Sequence, residues 1–148
     1  MRRPTRRLTV DIAPNTKGLS TAVVRRAVLT VLDDQNVEKA EYSVAFLSGQ
    51  QMRALNRRSF GHDRATDVIA FSLPHQGMTV GDIYVCPSVA RRMAREINVP
   101  EREELIRLIV HGVLHTLGFD HPSGGDRCQS DMWQVQERYL TMICGGNE

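Results

Sequence analysis

Lysine is nearly missing from this 148-residue chain: of its 19 basic residues only Lys17 and Lys39 are lysine, and the rest are arginine. The planar arginine fork matches phosphate better than a lysine point charge does, so the bias leans toward an anionic partner, although GC-rich coding would produce the same composition. Cysteine is scarce as well. Cys86, Cys128 and Cys144 are an odd number, widely spaced and without a CxxC pair, which argues against a disulfide framework and a zinc ribbon and leaves packing or surface roles in a reducing cytoplasm. No apolar run reaches the ~20 residues that span a bilayer; the longest, Leu105 to Leu117, is broken by Arg107, His111 and His115. Arg2, Arg3, Arg6 and Arg7 resemble the start of a signal peptide, but Leu8 to Ile12 contains Asp11 and is no apolar h-region. Repeats, low-complexity tracts and linkers are absent too, so residues 1–148 are expected to form one domain with no membrane partner.

What is present is ordinary for a globular protein, with 41% hydrophobic and 24% charged residues and a net charge of +2. Leu8 to Ile12 and Tyr42 to Leu47 alternate apolar and polar residues, and Val68 to Phe71 and Ile83 to Val85 are short β-branched or aromatic runs between turn residues. These predict four strands. Ser20 is placed to cap a helix with apolar residues at 23, 27, 28, 31 and 32, and Ser48 precedes a short helix bearing Met52 and Leu55. Pro87 to Ile97 predicts a third helix with proline in its first turn. Pro100 opens a fourth whose first turn holds Glu101, Glu103 and Glu104, the favourable sign for the helix dipole. Apolar residues face nearly all round that helix to Leu117, so it should be central and buried, with Gly118 as its left-handed cap. Met132, Val135, Tyr139, Met142 and Ile143 predict the core face of a fifth helix, with Trp133 beside it. The fold class is therefore α+β.

Three of the five histidines fall between 111 and 121, in HGVLHTLGFDH. His111 and His115 lie one turn apart on one helix face and can grip one ion; Gly118 allows the backbone to turn back so that His121 can reach it. Three imidazole nitrogens and an open fourth position describe a catalytic rather than a structural zinc site. A metal there lowers the pKa of water from about 15.7 to about 7. A single histidine on an apolar helix is ordinarily a packed core residue, but burying two neutral imidazoles for packing alone would require a separate partner for each. Zinc is the first expectation, one per chain, although imidazole ligands also suit nickel, copper and iron.

The spacing matches the metzincin pattern H-E-x-x-H-x-x-G-x-x-H except that Gly112 stands where those proteases carry their general-base Glu. Glycine cannot move a proton, which demotes peptide hydrolysis. The same segment resembles the signature of the YbeY family of metal-dependent endoribonucleases, H-G-x-L-H-L-x-G-Y-D-H, with Thr116 and Phe119 as mild substitutions. Leu55 with Asn56, Gly61 to Asp63, Thr66 to Phe71, Gly81 to Ile83, and Glu104 with Leu105 are similar to the family's LN, GKD, TDVLSF, GDI and EL blocks. Many members place Tyr-Arg before the GKD block, whereas this chain has Ser59 and Phe60, so no catalytic arginine is carried over; Arg58 and Arg64 are its neighbours in sequence.

The resemblance implies a mixed sheet with helices packed around a metal-bearing one. It also implies cleavage of single-stranded RNA, in ribosomal RNA maturation and ribosome quality control, with the ribosome or its proteins as partners. Arg57, Arg58 and Arg64 form either a solvated face or a track for RNA. Asp120 either supports a ligand imidazole or caps the turn, and Asp67 either shapes a turn or takes part in the site. The competing functions are a peptidase-like metallohydrolase and a non-enzymatic ribosome-associated factor with a structural metal.

Overall fold

The strands alternate with period two, and each alternation sends one set of side chains into a large core. The computed structural model describes residues 6–73, 75–120 and 131–145. In them β1 (Arg7–Ile12), β2 (Lys39–Phe46), β3 (Val68–Ser72) and β4 (Thr79–Val85) form one sheet of order β1-β2-β4-β3. β1, β2 and β4 run parallel and β3 is antiparallel to β4, so the sheet is mixed, as expected. Ala40, Tyr42 and Val44 of β2 and Ile83 and Val85 of β4 face the main core, whereas Ile69 of β3 faces a smaller cluster with Met52, Cys86 and Val89.

Five helices complete the α+β fold: α1 (Thr21–Asp34), α2 (Gly49–Phe60), α3 (Pro87–Ile97), α4 (Glu101–Thr116) and α5 (Asp131–Cys144). Ser20 caps α1 by accepting from the Val23 N–H, and Ser48 with Gln51 forms a reciprocal capping box at the start of α2. α4 packs against α1, α3, α5, β3 and β4, which makes it the central helix. None of the described helices is long and apolar enough to cross a membrane. Cys86 is a buried free thiol and Cys144 is half-buried; Cys128 lies outside the described residues.

One expectation fails on α5. Met142 is 53% exposed rather than part of the core face, and the buried residues are Met132, Gln136, Tyr139, Leu140 and Ile143. At 100° per residue these five centre about 100° from Met142, so the helix is turned to bury a glutamine that hydropathy assigns to the surface.

The sheet is tied to the end of α4 by Tyr42. Its ring lies over Gly81, its register partner on β4, where any Cβ would fall inside van der Waals contact with the ring. Thr116 donates its hydroxyl proton to the Val113 carbonyl at 2.6 Å, so the Tyr42 hydroxyl, 2.5 Å from the Thr116 oxygen, is the donor of that pair. Burial raises the Tyr42 phenol above its ordinary pKa. A raised folded-state pKa means that the folded protein holds this proton more tightly than the unfolded chain does. Its contribution to stability is therefore complete below about pH 10 and is lost as pH rises further. Urea unfolding as a function of pH should show Tyr42→Phe less stable by about 0.5–1.5 kcal/mol at neutral pH but with a shallower decline above pH ~10. A decline parallel to the wild type would contradict this assignment; Tyr139, also raised by burial, contributes to the slope that remains.

Candidate functional site

α4 carries both histidines of the HxxxH pair on one face. Their ring centroids are 4.5 Å apart with the planes at 79°, and both rings are half-buried. The helix ends in a Schellman turn: Phe119 N–H donates to the Leu114 carbonyl and Gly118 N–H to the His115 carbonyl, with Gly118 at φ 96°. The turn that was to bring the third histidine back is thus in place, with Asp120 exposed just after it; His121 itself lies outside the described residues.

His111, His115 and Gly112 line a cavity of about 320 Å³ closed by Trp133 and Gln136 of α5 and by Asp67 and Val68 at the start of β3. Gln136, 2% exposed, meets His111 with Oε1 2.7 Å from Nδ1. On the wall of the same cavity Arg107 grips Glu137 with two bonds of 3.0 and 3.1 Å, Glu104 at 2.6 Å and Glu103 at 3.4 Å. Burial pushes the Glu104 carboxyl above the usual range against the pull of Arg107. Burial alone would lower the Arg107 guanidinium, but its bonds to Glu137 and Glu104 outweigh that and raise it above its ordinary value. Glu104, in the first turn of α4 as its sequence position predicts, is also one half of a buried ion pair.

Asp67 does shape the turn, accepting from the Val68 N–H at 2.8 Å and the Thr66 hydroxyl at 3.2 Å, and it also walls the histidine cavity. Asp67 and Met93 are shared with a neighbouring groove of about 520 Å³ whose rim holds Arg64 and Arg92. Of the three arginines singled out by sequence, Arg64 alone lines these two cavities. Arg57 lies 3.9 Å from Asp63, which Arg53 already holds with bonds of 2.8 and 3.0 Å, and Arg58 is exposed on α2. Phe60 is 52% exposed and stacks on Phe71, which packs on the smaller cluster, with centroids 5.9 Å apart.

Imidazole pairs one turn apart suit a divalent transition metal, and the Gln136 contact at Nδ1 of His111 orients one ring as a ligand requires. The described residues supply two ligands: no group of three or more His, Cys, Asp or Glu among them is arranged around a common ion position. Sequence reasoning missed Gln136, Glu137 and Arg107, whose connection to His111 exists only after α4 and α5 pack.

Comparison with known proteins identifies the family. Residues 10–143 match the family model described as endoribonuclease YbeY. The chain is 31% identical over 132 residues to the endoribonuclease YbeY of Persephonella marina, covering 86% of each chain. It is 35% identical over 103 residues to that of Thermotoga maritima, covering 70% of this chain and 67% of the relative. Among solved structures it resembles the solution structure of TM1509 from Thermotoga maritima, with TM-score 0.65, 28% identity and coverage of 93% and 90% of the two chains.

Removing one partner from a buried charge pair strands the other. Arg107→Met should therefore destabilise the protein by about 3–5 kcal/mol in urea unfolding, and adding Glu104→Leu should recover a large part of that loss. A double variant no more stable than the single one would show that the pair is not what Arg107 contributes.

Proposed function

Because the chain belongs to the YbeY family of endoribonucleases, we propose that it is a metal-dependent enzyme that cleaves single-stranded RNA in the cytoplasm, serving ribosomal RNA maturation and ribosome quality control on the ribosome or its proteins. The observation that carries this reading is the placement of His111 and His115 on one cavity that adjoins an arginine-rimmed groove. His111, His115 and His121 would hold the ion, zinc first and one per chain. When bound, such an ion supplies Lewis-acid polarisation of the phosphodiester and activation of water.

The protein's own part is orientation and charge. Arg64 and Arg92 are placed to hold backbone phosphates beside the cavity. Gln136 holds the His111 ring, and Asp120 is assigned to orienting a ligand ring next to His121. A peptidase is disfavoured by geometry as well as by chemistry: a Cβ on Gly112 would sit 3.0 Å from Cγ2 of the fully buried Ile83, so a glutamate there would point into the sheet.

Elemental analysis and cleavage of single- and double-stranded RNA should be measured on the same samples of wild type and of His111→Ala, His115→Ala and His121→Ala. The expected result is about one metal per chain in the wild type, with metal and single-strand cleavage lost together in each variant. Undiminished cleavage by metal-free His115→Ala would overturn metal dependence. Metal retained with no cleavage of any RNA would favour a structural ion.

A further inference from the structure

The tautomer of His111 is determined by a chain of hydrogen bonds that begins at Arg107, one turn before it on α4 and on the wall of the same cavity. Arg107 occupies both oxygens of Glu137 through Nε and Nη2, at 3.0 and 3.1 Å. A carboxylate held in this way only accepts. The Gln136 atom 3.1 Å from Glu137 Oε2 must therefore be the amide nitrogen, which turns the amide oxygen toward His111, 2.7 Å from Nδ1. An amide oxygen cannot donate, so the proton of that bond sits on His111 Nδ1, and in the neutral ring the lone pair sits on Nε2.

We propose that Arg107, Glu137 and Gln136 act as positioning residues that select the Nδ1–H tautomer of His111, making Nε2 the atom presented to the ion. The ion itself rests on the function proposed above; the tautomer does not. Each link is directional. The guanidinium offers only donors, the carboxylate only acceptors, and the glutamine amide has one end of each kind, so reversing the amide would put two acceptors, or two donors, face to face. The burial of Gln136 has the same origin, because a glutamine with both ends satisfied can occupy a core position of α5.

The test is a two-bond nitrogen–proton correlation spectrum of the metal-stripped full chain with labelled histidine, at about pH 8.5 where an ordinary imidazole is neutral. His111 is identified by its loss in His111→Ala. The wild type should show His111 as the Nδ1–H form. Gln136→Met, similar in shape but without the acceptor, should shift it toward Nε2–H and weaken zinc binding about 10–100-fold in a chelator competition. Glu137→Gln, which leaves the shape unchanged and touches no histidine, should give a mixture, because an amide at 137 can satisfy either orientation of Gln136. An Nε2–H tautomer in the wild type, or a Gln136→Met variant that loses stability while its tautomer stays put, would overturn the proposal. Because the spectrum needs neither metal nor RNA, the relay and the proposed metal dependence fail independently: cleavage that survives metal removal refutes the latter and leaves the tautomer where it was.

Discussion

Helix α4 is enclosed by α1, α3, α5 and the sheet, so a polar side chain on it meets protein where a surface helix would meet water. Leaving such a group unpaired costs about 1–3 kcal/mol, and more if it is charged. Each polar position on the helix therefore dictates something about a neighbour. Glu104 requires Arg107, Arg107 in turn draws Glu137 from α5, His111 draws Gln136 from the same helix, and Thr116 draws Tyr42 from β2. Among the described residues no buried side-chain nitrogen or oxygen lacks a partner. The site is thus assembled by satisfying the polar groups of one buried helix, and the docking angle of α5 follows from that satisfaction as much as from its apolar stripe.

This explains which features were legible beforehand. The helix and strand segments, the Ser20 cap, the helix that starts after Ser48 and the Gly118 turn are local, set by residues within a few positions of one another, and the structure shows them. The HxxxH pair was legible for the same reason. Gln136 was not, because its partner is 25 residues away and hydropathy alone sends a glutamine to the surface. The same error produced the misplacement of Met142: a stripe drawn through apolar residues only was rotated from the true buried face, whose centre is occupied in part by a polar side chain. Arg57 and Arg58 were chosen as neighbours of Arg64 in sequence, but they lie on a helix and it lies on the loop that follows, and only the loop borders the cavities.

Gly112 shows the two scales together. In isolation a mid-helix glycine is a liability of about 1 kcal/mol relative to alanine. In the fold it lets α4 approach β4 closely enough that even a methyl group would press on Ile83. That approach brings the histidine face next to β3 and so closes the cavity with Val68 and Asp67. The residue that stands where a protease carries its general base is the same one at which α4 and the sheet come together, so a glutamate there would have to displace the Ile83 side chain.

The groove beside that cavity depends on a similar division of labour. Buried Asn56 donates to the Arg64 carbonyl at 3.0 Å, holding the loop through its backbone and leaving the guanidinium out of that bond. Asp63, one residue earlier, is instead taken up by Arg53. An acidic side chain that would otherwise cancel the charge of Arg64 is thereby bound to α2. Asp67 likewise directs one carboxylate oxygen to the backbone of β3 and to Thr66. The positive charge that remains at the rim comes from Arg64 and Arg92, which reach it from different elements, and an anion drawn between them meets the wall shared with the histidine cavity. A surface of net charge only +2 can in this way present a locally cationic approach, because local pairing rather than total charge decides where the arginines are left to act.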